Sequence, residues 1–290
     1  MLIEHSEGLL LGKRAYNPCR SKCSSESCCQ LGTSDSNNED IDGAEVSTNS
    51  ITSRALFPSN PDTLDTNIVQ RFTEGKVTLI FGLSASNDES TSEWIPIRAR
   101  TKAFDLGLSA LCGCTALIVY SENGVYGAHF FEAAAWGLGD DAFQEYVVSF
   151  LRNTANGSGG LARFASLLTD GNAQVSAYIM TPQDELPDNP DGSRGGYDLE
   201  TPLYKDQVDQ LRDLLPNIVP GLNNIEISLY QALEGGSGSN GDINPEDAAI
   251  LTDHARGRVL FQYDPDTSGE RRARLFFETE TIFDQVLGPS

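Results

Sequence analysis

Two apolar runs near the middle of the chain, separated by a short polar stretch, predict a β-hairpin. Residues 115–120 form a β-branched, apolar run, and residues 125–131 form the second one. Between them stands Ser121-Glu122-Asn123-Gly124, and the Asn-Gly pair is the strongest short-range signal for a tight hairpin turn. We therefore expect two antiparallel strands that bring the residues near 114 close to the residues near 130.

The pattern elsewhere predicts a mixture of strands and helices. Apolar or alternating runs predict strands at 76–83, 94–100, 174–180 and 224–233, and a second hairpin from 258–263 and 272–279. Helical spacing predicts one helix capped by Asp140 or Asp141, a second helix at 161–168 and a third at 201–218. The Pro, Asp and Gly residues of 181–198 are typical of a surface loop. Because strands and helices do not alternate strictly, we expect an α+β fold with a two-layer β-sandwich-like core of mixed or antiparallel sheets, flanked by helices.

The N-terminal part of the chain differs in composition from the rest. Residues 1–66 are polar, acidic and poor in aromatic residues, which predicts a mostly disordered, Cys-rich segment, whereas residues 67–290 are expected to form a single globular domain. The first segment contains Cys19, Cys23, Cys28 and Cys29. These cysteines could form two disulfides or bind a metal. Their spacing, with no His nearby, is poor for zinc and favours disulfides.

The charge of the chain narrows the range of partners. It carries 42 acidic and 20 basic residues, a formal net charge of −22, which argues against binding to nucleic acid or to an anionic membrane. No apolar run is long enough for a transmembrane helix. The first residues do not form a secretory signal, so we expect either a cytoplasmic protein or a signal upstream of this sequence. The Cys cluster favours secretion, with which Lys13-Arg14 and the glycosylation sequon at Asn156 are compatible.

Cys114 and His129 are the candidate catalytic pair, because they lie near the paired ends of the predicted hairpin. A thiol beside an imidazole is the minimal apparatus of a cysteine nucleophile. A two-residue turn at Asn123-Gly124, however, would place Cys114 opposite residue 133, so the pair needs a bulge or another register to meet. Without catalysis, Cys114 would be an inert packing residue and His129 a hydrogen-bonded structural one.

The sequence around this pair resembles the catalytic core of the cytotoxic necrotizing factor family. The shared features are Gly113-Cys114-Thr115, the apolar strand that follows, the aromatic Tyr126, and a His fifteen residues after the Cys. The segment Tyr126-Gly127-Ala128-His129-Phe130 also resembles the bacterial chemotaxis glutamine deamidases. Similar segments occur in uncharacterised secreted fungal proteins. The resemblance is confined to the hairpin.

The resemblance implies a toxin- or effector-like protein glutamine deamidase with a transglutaminase side activity. The family's nucleophile and base fall on Cys114 and His129. Gly113 and Thr115 lie where groups that bind the oxyanion or orient the site would be expected, and Phe81 lies where an upstream backbone carbonyl would orient the His. No cofactor and no metal are implied. The implied partner is a protein substrate with a reactive Gln side chain, and the family's known substrates are small GTPases.

Other interpretations stay open at this point. The alternative to an enzyme is a non-catalytic, secreted binding or interaction module on the same fold. Cys112 is either a packing residue or a disulfide partner of Cys114 or of an N-terminal Cys. Glu132, three residues after His129, either orients the His or is a solvated carboxylate at a strand end.

Overall fold

A computed structural model describes residues 56–57, 60–80, 90–109, 111–155, 159–186, 189–190, 195–232 and 245–289. Its helices are α1 (Pro61–Thr73), α2 (Asp140–Phe143), α3 (Phe150–Arg152), α4 (Ala165–Leu168), α5 (Lys205–Ile218) and α6 (Pro245–Asp253). Its strands are β1 (Val77–Leu79), β2 (Thr91–Pro96), β3 (Phe104–Leu108), β4 (Thr115–Ser121), β5 (Gly124–Phe130), β6 (Val175–Glu185), β7 (Tyr197–Pro202), β8 (Leu222–Tyr230), β9 (Val259–Thr267), β10 (Glu270–Phe277) and β11 (Glu280–Pro289). Short π-helical turns cover Glu132–Trp136 and Gln144–Ser149, and 3-10 turns cover Leu161–Arg163 and Asp170–Asn172.

The strands form two sheets. The first has the order β1-β3-β9-β10-β11, and the second has the order β2-β5-β4-β6-β7 with β8 also paired to β6. The β1–β3 and β6–β8 pairs are parallel, whereas the other pairs are antiparallel. Helices pack outside these mixed sheets, so the expected α+β class with a sandwich-like core is confirmed.

The main core lies between the two sheets. Ile118 of β4 belongs to it together with Leu106 of β3 and Phe261 of β9. On β4, the side chains of Leu117 and Val119 point the other way, into a second core beneath the helices. Because both faces of β4 are buried, its middle residues 116–119 are all apolar and do not alternate with polar ones.

Helices cover the outer faces of both sheets. The buried stripe of α5, which contributes to the core on the second sheet, consists of Val208, Leu211, Leu214, Leu215 and Ile218. On the first sheet, α1 packs through Leu64, Ile68 and Phe72. Asn60 caps α1 by accepting a hydrogen bond from the Asp62 backbone N–H at 3.1 Å, and Pro61 suits the first helical position. Among the described residues, no helix has the length and apolar character required to cross a bilayer.

Several boundaries differ from the expected ones. The stretch expected to be a surface loop at 181–198 contains the end of β6 and the start of β7, and the helix expected from residue 201 begins at Lys205. The reason is tertiary: Thr181 is fully buried and lies in register with Leu229 of β8. The strand expected at 76–83 is present as β1, and residues 81–83 lie outside the described residues. Helix α1 spans residue 67, and the division of the chain at that residue stays a prediction.

Candidate active site

The hairpin of β4 and β5 turns one residue earlier than expected. Ser121 pairs with Gly124, so Glu122 and Asn123 form the two-residue loop. Gly124 is part of the strand, and a β-carbon placed on it would lie 2.2 Å from Cη2 of Trp94. The Trp94 indole therefore packs so closely against Gly124 that a larger residue there would clash with it.

The side chain of Asn123 anchors the hairpin tip to the neighbouring turn. Its amide donates hydrogen bonds to the carbonyl oxygens of Leu168 and Asp170, at 3.2 and 2.7 Å. From this tip, the ladder runs in one register from Ser121 back to Thr115, which lies opposite Phe130. The bulge that an Asn123-Gly124 turn would have required is therefore unnecessary.

In this register, Cys114 and His129 project from the same face of the hairpin. Ala116 pairs directly with His129, and Cys114 stands two residues before Ala116. Cys114 belongs to the core between the sheets, as does Phe131, whose ring centroid lies 4.2 Å from that of His129. Cys114 and His129 are thus diagonal neighbours, whose Cα atoms are roughly 7–8 Å apart in regular sheets.

Both members of the pair are buried, and they do not form a hydrogen bond with each other. Cys114 and His129 are each 2% exposed. Among the described residues, neither ring nitrogen of His129 has a hydrogen-bond partner. A structural histidine at a buried position normally bonds at least one nitrogen. No S–H···N hydrogen bond joins the pair, and the imidazole is left with bonding capacity on the face that it shares with Cys114.

The turn that precedes Cys114 is tied to strand β8 through a buried hydroxyl. The backbone N–H of Gly113 donates to Oη of Tyr230 at 2.8 Å, and this hydroxyl donates to the backbone oxygen of Cys114, also at 2.8 Å. Burial raises the pKa of Tyr230 well above its ordinary value, so the hydroxyl keeps its proton. Sequence reasoning did not find Tyr230, which is separated from Cys114 by 116 positions and carries no local signal.

Glu132 packs against the same turn. Its side chain is fully buried, and its Oε1 accepts a hydrogen bond from Oη of Tyr204 at 2.7 Å. A β-carbon placed on Gly113 would lie 2.0 Å from Oε2 of Glu132. Gly113 also has a φ of +142°, a region that favours glycine. Glu132 is therefore not a solvated carboxylate, because it packs directly beneath the Gly113 backbone.

The remaining predicted site residues are placed as follows. Thr115 is buried, and its hydroxyl is hydrogen-bonded to that of Thr181 at 2.9 Å. Cys112 is buried in the same core as Cys114, and the two cysteines are not joined in a disulfide. Phe81 lies outside the described residues. The carbonyl of the residue before it, Ile80, accepts a hydrogen bond at 2.9 Å from the hydroxyl of Thr91, which pairs with His129 in the sheet.

Comparison with known proteins gives little further information. No protein-family model matches the chain, and no curated protein sequence matches it. Among solved structures, the C-terminal domain of CNFy from Yersinia pseudotuberculosis is similar, with a TM-score of 0.31 and 11% sequence identity. The similarity covers 74% of this chain and 64% of that one, so this chain spans less than two thirds of the length of its structural neighbour.

Proposed function

We propose that this protein is a cysteine-dependent protein glutamine deamidase with Cys114 as its nucleophile and His129 as its general base. The observation that carries the proposal is the hairpin register, which puts the two side chains on one face at diagonal positions. The Gly-Cys-Thr motif and the spacing to the His, which resemble the cytotoxic necrotizing factors, supply the reaction class.

The reaction follows from the chemistry of the two groups. His129 takes the proton of the Cys114 thiol, and the thiolate attacks the carboxamide carbon of a Gln side chain. The tetrahedral intermediate breaks its C–N bond, and the imidazolium gives its proton to the departing ammonia. Water, activated by His129, then hydrolyses the thioester to Glu and restores the thiol. An amine that replaced this water would give transglutamination.

The state of His129 supports its role as the base. Its ring nitrogens have no hydrogen-bond partner among the described residues, so the ring can accept a proton without first breaking a bond. Cys114 belongs to the core between the sheets, and the His129 ring packs against Phe131 of that core, where a low effective dielectric strengthens the interaction of a thiolate with an imidazolium. Hydrogen bonds of catalytic groups are often long or absent before the substrate binds. In this proposal the side chains of the pair rotate into hydrogen-bonding distance when the substrate binds.

The proposal extends to the partner and the place of action. The substrate is a protein with an accessible Gln side chain, and the family resemblance points to a small GTPase. The N-terminal cysteines, which lie outside the described residues, favour a secreted, effector-like protein. An acidic chain of this kind would act on its protein target without a nucleic-acid partner.

Alkylation tests the pair directly. We expect iodoacetamide to label Cys114 in the wild-type protein roughly tenfold or more faster than in His129→Ala, because the thiolate, which His129 promotes, is the reacting species. Fragment masses that resolve Cys112 from Cys114 provide the internal reference. Incubation with small GTPases, followed by peptide mass analysis for conversion of Gln to Glu, tests the reaction, with Cys114→Ser as the inactive control.

A second candidate function is favoured by the burial of both side chains. If Cys114 and His129 pack without reacting, the protein is a binding module on the same fold, and their 2% exposure is the observation that supports this alternative. Equal labelling of Cys114 in the wild type and in His129→Ala would favour the module and contradict the enzyme.

A further inference from the structure

Tyr230 forms two hydrogen bonds with the backbone at the proposed nucleophile, one to Cys114 and one to the residue before it, Gly113. Its hydroxyl accepts from the N–H of Gly113 and donates to the carbonyl of Cys114, at 2.8 Å in each case. The side chain is 2% exposed, so water cannot readily replace these bonds. One buried hydroxyl therefore fixes the directions of two backbone groups on either side of the Gly113–Cys114 peptide.

Glu132 constrains the same peptide by its volume. Its carboxyl group fills the space beside Gly113 in which any other residue would place a β-carbon. The hydrogen bond from Tyr204, which directly precedes α5, holds the carboxyl in that position. The Gly113–Cys114 peptide is thus contacted both by Tyr230 of β8 and by Glu132, which begins the π-helical turn after β5 and is bonded to the residue before α5.

This position matters because the regular strand begins only at Thr115. Sheet pairing sets the place of His129, which is flanked by Thr91 on β2 and by Ala116 on β4. Cys114 lies just outside the strand, where the turn decides its direction. A displacement of about 1 Å between reacting groups can cost on the order of a hundredfold in rate.

We propose that Tyr230 and Glu132 are positioning residues that hold Cys114 in reach of His129 by fixing the Gly113–Cys114 backbone. This inference rests on the proposed function, since it concerns the geometry of the same pair. Tyr230 acts through its two backbone hydrogen bonds, and Glu132 acts through its contact with Gly113. The phenol stays protonated, because burial raises the pKa of Tyr230 well above its ordinary value, so its hydroxyl keeps the proton that it donates to the Cys114 carbonyl.

The test compares two buried tyrosines whose hydroxyls form hydrogen bonds to different backbone groups. Tyr230→Phe removes both bonds to the Gly113–Cys114 peptide and keeps the ring. Tyr126→Phe is the matched control, because Tyr126 is fully buried, and its hydroxyl donates to the carbonyl of Gly159 at 2.7 Å, in the core beneath the helices. The rate of Cys114 labelling by iodoacetamide is measured in both variants, in the wild type and in His129→Ala, under conditions in which circular dichroism shows each protein to be folded.

We expect Tyr230→Phe to label roughly tenfold more slowly than the wild type, whereas Tyr126→Phe labels at close to the wild-type rate. On a glutamine-containing substrate, kcat should fall in Tyr230→Phe with little change in KM, because substrate binding is not the affected step. Wild-type labelling in Tyr230→Phe, or equal slowing in both Phe variants, would overturn the positioning role while the enzyme proposal stands. If the wild type itself labels no faster than His129→Ala, the enzyme proposal and the positioning role both fail.

Two Glu132 variants test the positioning role independently, including the case in which Tyr230→Phe does not fold. Glu132→Ala empties the space beside Gly113, whereas Glu132→Gln keeps its volume and an oxygen that can accept from Tyr204. We expect slow labelling of Cys114 in Glu132→Ala and recovery of most of that loss in Glu132→Gln. Labelling of Glu132→Ala at the wild-type rate would overturn the proposal.

Discussion

The carboxyl group of Glu132 lies where a β-carbon on Gly113 would be, and the two residues therefore exclude each other's space. The distance between such a β-carbon and Oε2 would be 2.0 Å, far shorter than a van der Waals contact. The glycine of the Gly-Cys-Thr motif thus has a packing reason in this protein: it lets a buried acidic side chain pass beneath the residue next to the proposed nucleophile.

The first prediction concerns Gly113→Ala. The variant meets both the clash with Glu132 and the strain of a φ of +142°, so we expect it to lose roughly 2–5 kcal/mol of unfolding free energy. Urea denaturation measures the loss. In a Glu132→Ala background the clash is absent, so the same substitution should cost distinctly less. An equal cost in both backgrounds would contradict the contact.

Thr115 and Thr181 allow a second prediction, because their hydroxyls satisfy each other inside the sheet. Either single Thr→Val change leaves one buried hydroxyl without its partner and should cost about 1–3 kcal/mol. The double Val variant removes both hydroxyls and should be more stable than the sum of the single effects implies. Thermal or urea unfolding of the wild type, the two single variants and the double variant gives the coupling free energy between the two hydroxyls. Strictly additive losses of stability would argue against the hydrogen bond between Thr115 and Thr181.

The third prediction concerns the hairpin tip. Asn123→Ala removes the two hydrogen bonds to the carbonyls of Leu168 and Asp170, which should cost about 1–3 kcal/mol of unfolding free energy. Asn223→Ala, at an exposed position of β8, is the control and should stay within about 0.5 kcal/mol of the wild type. Similar losses in the two variants would show that the Asn123 bonds do not anchor the hairpin.

Glu278 provides a prediction about pH. Burial raises the pKa of this carboxyl group, against the lowering effect of the hydrogen bond from the Gly257 N–H. The folded state therefore binds the proton more tightly than the unfolded state does, and the contribution of Glu278 to stability is lost as the pH rises through the folded pKa. The non-titrating variant Glu278→Gln should escape this loss.

The corresponding measurement is urea unfolding from about pH 4 to about pH 8. We expect the unfolding free energy of Glu278→Gln, relative to that of the wild type, to rise as the pH increases above the ordinary pKa of a carboxyl group. Glu270→Gln, at an exposed strand end, controls for the loss of one acidic residue. A difference between Glu278→Gln and the wild type that does not vary with pH would contradict the raised pKa.

The fold class and the main hairpin could be predicted because their signals are local. The apolar runs of β4 and β5 and the stripe of α5 show their periods directly in the sequence. Other elements were not predicted: α1, β3 and β11 are short or have mixed composition, and they gain their stability from the partners they pair with or pack on. For the same reason, the polar stretch after Met180 continues as a strand, since β8 lies alongside it.

Local sequence patterns predict the sandwich class and the hairpin, and they single out Cys114 and His129 as the candidates for chemistry. The register that makes them diagonal neighbours depends on contacts between distant segments, since Trp94 packs on Gly124 and Asn123 bonds to the carbonyls of Leu168 and Asp170. Only the tertiary structure brought Tyr230 and Glu132 to the Gly113–Cys114 peptide. Local patterns report the period and burial of one segment, whereas these contacts join segments far apart in the chain, whose approach depends on the packing of the whole domain.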